Sequence, residues 1–210
     1  MEKIPAGLRP CLADLRRALE EALGPDLAGL YAGGSVALGD FTPGRSDLDL
    51  AAVVSGPLDD AAREAVIERV SALGRWCGAR GVELVVYTED QVRAPARRPL
   101  FELNLNAGPG TAFRATRRIE DEPAHWFLID LAILRAHGVP LLGPPPDEVV
   151  GEIPRSRLLD ALSDSAGWHA AHEPGSENAR LNAIRGRVFA SEGRWVSKTE
   201  AAAREREGPE

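Results

Sequence analysis

The stretch Gly33–Leu50, GGSVALGDFTPGRSDLDL, decides how the chain is read. It follows a short apolar segment, turns on two glycines and a serine, and re-enters apolar sequence through Ser46-Asp47-Leu48-Asp49-Leu50. Residues two apart in a strand share a face, so Asp47 and Asp49 project together while Leu48 and Leu50 face a core. Two unpaired carboxylates that close repel and raise each other's pKa. A hard divalent cation relieves this, and oxygen ligands favour Mg²⁺, which keeps waters and bridges to phosphates. The pair therefore reads as metal ligands.

Working outward, Leu27–Ala32 is a short apolar strand, and Gly33-Gly34-Ser35 after it permits close backbone approach to a phosphate. Gly34 and Ser35 are thus candidate phosphate-binding residues. Asp47–Val54 is a second strand closed by Gly56-Pro57, and Asp59 to Arg75 is an amphipathic helix. Val82–Tyr87 is a third strand, rich in β-branched residues, and Glu83 interrupts its apolar run. If this strand lies beside the second, Glu83 points into the same cleft. Three carboxylates then surround one or two metals, or two bind metal while the third takes a proton.

Leu8 to Leu23 repeats apolar residues at helical spacing and stops at Gly24-Pro25. Leu100–Leu105 is a fourth strand, ended by Gly108-Pro109-Gly110. Beyond Glu120–Glu122 strand signals vanish. Trp126 to Ala136 is a buried helix stopped by Gly138 and Pro140, and Gly143–Pro146 is a rigid connector. Arg155 to His172 and Glu177 to Ser191 are helices, and Ser197-Lys198-Thr199-Glu200 forms a capping box. The expectation is an α+β chain. Residues 1–120 form a domain with a small mixed sheet of about four strands and flanking helices. Residues 121–210 form a helical bundle that looks shortened at its C-terminus and ends in the solvated run REREGPE.

Bulk properties narrow the function. The chain has 210 residues, of which 44% are hydrophobic and 27% charged, as in ordinary globular proteins. Its net charge of -7 and 5% aromatic content argue against nucleic-acid binding, which needs basic surface or stacking platforms. No apolar run reaches the roughly 20 residues of a membrane span, and MEKIPAGLRP lacks a signal-peptide core. Cys11 and Cys77 are too few for a disulfide framework, Cys77 reading as a core thiol. A cytoplasmic monomer is expected. His169 and His172 share a helix without a third ligand and read as a solvated face. Lysine is scarce, with only Lys3 and Lys198.

The order strand, Gly-Gly-Ser, Asp-x-Asp strand, helix, acid-bearing strand resembles the nucleotidyltransferase superfamily with its polymerase-beta-like fold. Two downstream segments, HWFLIDLAILRAHGVPLLGP and ENARLNAIRGRVFASEGRWVSKTEAA, look like the aminoglycoside 3''/9-adenylyltransferases. The similarity runs from about Leu27 to Ala203. It implies Mg-dependent transfer of AMP from ATP to a hydroxyl of an aminoglycoside or aminocyclitol antibiotic, with release of pyrophosphate.

By this resemblance Asp47 and Asp49 bind magnesium, two ions in all with Glu83 nearby, and Glu83 is the catalytic base. Ser35 and Ser46 lie near the nucleotide phosphates, and Arg185 and Lys198 close onto ATP from the helical part. A cationic acceptor would be drawn by Glu102, Glu173 or Glu177. Asn104 stands near the position where the streptomycin enzymes carry a stacking Trp, and Trp168 is a further substrate candidate. The competing reading is a non-catalytic, antitoxin-like nucleotidyltransferase-fold protein acting through protein contacts; retention of all three acids argues against it.

Overall fold

The computed structural model describes residues 4–74 and 76–207. Helix α1 (Arg9–Leu23) leads through a 3-10 turn into strand β1 (Leu27–Ala32), the short helix α2 (Gly34–Ala37) and strand β2 (Leu48–Val54). Helix α3 (Asp60–Ser71), strand β3 (Val82–Thr88), the short helix α4 (Glu89–Arg93) and strands β4 (Leu103–Ala107) and β5 (Arg114–Thr116) follow. Then come α5 (Ala124–His137), β6 (Val139–Leu142) and α6 (Pro146–Val149), and last α7 (Arg155–His172), α8 (Glu177–Glu192) and α9 (Lys198–Glu207).

The six strands make one mixed sheet in the order β5-β4-β3-β2-β1-β6. β2 and β3 are parallel, joined by α3 as a crossover, and the other pairs are antiparallel. Two strands escape the sequence reading. β5 is three residues long and largely exposed, so it has no periodicity to detect. β6 contains Pro140, which breaks a helix but is tolerated on an edge strand; here it ends α5 and opens the sheet's outer strand.

Alternation on the central strands divides the core. Leu48, Leu50, Ala52 and Val54 of β2, with Val82, Leu84 and Val86 of β3, pack on one face against Leu12, Leu15 and Leu19 of α1 and Val66 and Val70 of α3. Ala51, Val53 and Tyr87 face the other way, toward Phe127, Leu128 and Leu131 of α5. Asp49 and Glu83 share this second face and lie nearer the strand starts. Helix ends follow local chemistry. Asp59 caps α3 by accepting from Ala62 N–H at 2.7 Å, and Thr88 and Gln91 form a reciprocal capping box on α4. α3 stops at Ser71, short of the expected end, and Arg75 lies outside the described residues.

The later helices pack on α5 and on one another, with Leu181, Ile184, Val188, Val196 and Ala201 forming a small core of their own. Ser197 accepts from Glu200 N–H at 3.1 Å, but the Glu200 carboxylate does not return to complete the box. It is taken by Arg194 at 2.6 Å, a stronger charged partner. His169 is also not on a solvated face. It is 5% exposed, set between Glu173 (3.1 Å) and Asn182 (3.1 Å), while His172 stacks on Trp168. Cys77 is only half-buried, packed at the margin of the first core. The Gly208–Glu210 end of the expected tail lies outside the described residues. Among the described residues, no helix is long and apolar enough to cross a membrane.

Candidate functional site

The turn after β1 is shaped by Asp49. Gly33 N–H donates to Asp49 O at 2.8 Å, which pins the turn to the start of β2. Gly34 has φ +45°, and a Cβ there would lie 1.8 Å from Asp49 Oδ2. Glycine is thus needed twice over, for the left-handed backbone and for room. The Ser35 N–H hydrogen-bonds the Asp49 carboxylate, while the buried Ser35 Oγ has no partner among the described residues. Ser46 Oγ accepts from Thr42 N–H at 3.0 Å and so also shapes the loop into β2.

The parallel register sets Asp49 directly beside Glu83 and Leu48 beside Val82. Asp47 precedes the strand by one residue and lines the same cleft. A fourth acid, Asp130 on α5, completes the group from the opposite wall. Three of these carboxylates are shifted by their surroundings. Burial, then the charges of Asp49, Asp47 and Asp130, push Glu83 up to about 8, against the pull of Lys198. Burial and Asp49 push Asp130 up to about 7, opposed by Arg185. Burial raises Asp49 too, helped by Asp47, though the Ser35 N–H, Lys198 and Arg185 work the other way.

Facing the acids, Arg185 of α8 is oriented by Val196 O (2.8 Å) and Asn182 Oδ1 (3.0 Å), and Lys198 of α9 by Asn178 Oδ1 (2.8 Å). Burial lowers both pKa values, and for Lys198 the neighbouring Arg185 adds to this. Thr199 N–H donates to Asp40 Oδ2 at 3.1 Å, tying the start of α9 to the loop after α2. The result is a polar cleft of about 430 Å³.

A second cavity of about 770 Å³ adjoins it, walled by Tyr87, Asn104, Phe113, Trp126, Phe127 and Leu131. Gly34, Asp49, Glu83 and Asp130 line both. The acids therefore stand at a junction between a charged cleft and a larger, more apolar one. That is the arrangement a group transfer between two bound molecules requires.

The sequence candidates separate clearly. Gly34, Ser35, Ser46, Asp47, Asp49, Glu83, Glu177, Arg185 and Lys198 line the polar cleft. Asn104 lines the second cavity and donates to Glu122 Oε1 at 3.1 Å. Glu102 lies elsewhere. It is 8% exposed, bridged to Arg63 at 2.8 Å, and accepts from Leu58 N–H and Gln91 Nε2 at 3.0 Å each, so it is a structural anion. Glu173 is occupied by His169, Ser176 and Asn178, and Trp168 is packed between Trp126 and His172. None of these three lines either cavity. Asp130 was missed, although it is the one charge in the run Trp126–Leu134, WFLIDLAIL.

Mg²⁺ fits the chemistry of this cleft. Its carboxylates outnumber its cations, they are hard oxygen donors, and Asp49 and Glu83 are raised first by burial and then by neighbouring carboxylates, whose repulsion a cation would relieve. Among the described residues, no group of three His, Cys, Asp or Glu forms a ready-made metal cage.

Comparison with known proteins shows what the chain is similar to. Residues 12–99 match the family model of the nucleotidyltransferase domain. Aminoglycoside (3'') (9) adenylyltransferases from Klebsiella pneumoniae, Shigella flexneri and Escherichia coli are each 31% identical over 177 residues, covering 78% of this chain. The chain spans 64% of the length of these curated relatives. The crystal structure of spectinomycin adenyltransferase AAD(9) from Enterococcus faecialis with ATP and spectinomycin shares the fold. Its TM-score is 0.75 at 21% identity, covering 96% of this chain and 84% of that one.

Proposed function

We propose that this chain, whose residues 12–99 match the nucleotidyltransferase domain, transfers AMP from ATP to a hydroxyl of a small cationic acceptor, an aminocyclitol or aminoglycoside, releasing pyrophosphate. One observation carries the reading: Asp49 and Glu83 are register partners at the junction of the polar cleft and the second cavity. ATP takes the polar cleft and the acceptor takes the larger cavity, so the α-phosphate and the attacking hydroxyl meet at the acids.

The chain's own groups account for the chemistry. Arg185 and Lys198 face the acids and hold the negative triphosphate from the helical side. The Gly33–Ser35 turn brings the Ser35 hydroxyl to the phosphate side, where its buried oxygen gains a partner. Asp47, Asp49 and Glu83 would hold Mg²⁺, which when bound neutralises phosphate charge and lowers the barrier to displacement at phosphorus. Glu83 in its ionised form accepts the hydroxyl proton as the new oxygen–phosphorus bond forms and the bond to pyrophosphate breaks. Asp130 adds a carboxylate on the acceptor side, suited to an ammonium group. Catalysis is then mainly positioning and charge stabilisation.

The test is direct. The protein is incubated with ATP, Mg²⁺ and spectinomycin or streptomycin, and the products are weighed by mass spectrometry. An AMP-bearing antibiotic with an equal yield of pyrophosphate supports the reading; ATP left intact with both antibiotics contradicts it.

A further inference from the structure

Asp47, just ahead of β2, is held in place by groups from elsewhere in the chain. Thr111 Oγ1 donates to Asp47 Oδ1 at 2.6 Å, and Arg80 Nη1 stands 3.8 Å from Oδ2. Thr111 lies in the turn joining β4 to β5, and that turn is docked rather than loose. Gly110 N–H donates to Arg80 O at 2.7 Å, and Arg80 Nη2 donates to Gly110 O at 2.8 Å. Gly81 makes room for the contact: a Cβ there would meet Ala107 O at 2.5 Å and Thr111 Oγ1 at 2.6 Å.

The two partners belong to different cavities. Asp47 lines the polar cleft and not the larger cavity, whereas Thr111 lines the larger cavity and not the polar cleft. Two residues further on, Phe113 is 64% exposed and also lines the larger cavity. One short hydrogen bond therefore joins the walls of two binding spaces. A charge-assisted bond of this length fixes the direction of the acceptor oxygen's lone pairs.

We propose that Thr111 is a positioning residue: its hydroxyl sets the Asp47 carboxylate for a divalent cation and makes the β4–β5 turn, a wall of the acceptor space, part of the cation site. This rests on the transferase reading above. Partners of metal-ligating carboxylates commonly change cation affinity by about 10–100-fold when removed.

The experiment is a Mg²⁺ titration of ATP binding to the whole chain, followed by calorimetry, for wild type, Thr111→Val, Thr111→Ala and Thr111→Ser. Thermal unfolding without Mg²⁺ is recorded alongside. Both hydroxyl-free variants should need roughly tenfold more Mg²⁺ for half-saturation while melting close to wild type, and Thr111→Ser should return to within about twofold. If wild type binds ATP in a Mg²⁺-dependent way and the Val and Ala variants show the same Mg²⁺ requirement, the positioning role is wrong and the transferase reading stands. If Thr111→Ser is as impaired as Thr111→Val, the hydroxyl is not the agent and the inference also fails. A wild type that binds no ATP at any Mg²⁺ concentration overturns the transferase reading and the inference with it.

Discussion

Gly34 and Asp49 occupy space that only one of them can fill, because a Cβ on Gly34 would sit 1.8 Å from Asp49 Oδ2. The left-handed backbone at Gly34 adds a strain of about 1–2 kcal/mol for any L side chain. Gly34→Ala should therefore act on the site more than on the fold. We expect a fall in melting temperature of roughly 2–8 °C and a loss of AMP transfer of about 100-fold or more. Differential scanning calorimetry and a product assay read the two effects, and unchanged transfer would mean that Asp49 is not where the chemistry happens.

Glu83 should reveal itself in turnover. Glu83→Gln keeps the shape but cannot take a proton, so kcat should drop by about 10²–10⁴ while the ATP affinity moves only a few-fold. Single-turnover measurement of AMP transfer separates these. Loss of ATP binding with intact turnover per bound ATP would reassign the residue from base to ligand.

Glu102 should behave in the opposite way. It is buried with Arg63, whose own side chain is 19% exposed, and removing one member of such a pair costs about 3 kcal/mol. Glu102→Ala should lower the melting temperature by roughly 6–12 °C and leave the acceptor KM unaltered at a permissive temperature. A raised acceptor KM with unchanged stability would restore it to the acceptor site.

Phe113 offers an aromatic face at the mouth of the larger cavity. Phe113→Ala should raise the acceptor KM by about tenfold, worth ~1.4 kcal/mol, with kcat and the ATP KM nearly constant. Steady-state kinetics with spectinomycin checks this, and an equal effect on both substrates would point to a general disturbance of the turn.

What could be read in the sequence follows from the range of the forces involved. Asp47, Asp49 and Glu83 stood out because a charge in an apolar strand is costly and strand period 2 assigns its face, and the fold does gather them at one cleft. The long helices of the second half were legible from their caps and stops, with Arg155–His172 matching α7 end to end, whereas the short α6 was not expected. Glu102 was misread because its partner Arg63 is distant in sequence and meets it only after folding. Asp130 hid inside a helix, where a single carboxylate on an otherwise apolar surface does not break the pattern. β6 hid behind Gly138 and Pro140, residues that end a helix and begin an edge strand with equal ease. His169 drew a solvated reading because the Asn182 that satisfies it comes from the next helix.

Under the proposed function, Asp49 on β2 and Glu83 on β3 hold a divalent cation against bound ATP. Calorimetric titration of ATP into the wild type and into Asp49→Asn, each with Mg²⁺ and with a chelator, tests it most directly. Wild type should bind ATP far more tightly with Mg²⁺ than with chelator, and the variant should lose that difference. Equal binding by wild type in both conditions, or a variant that keeps the full Mg²⁺ dependence, would contradict it.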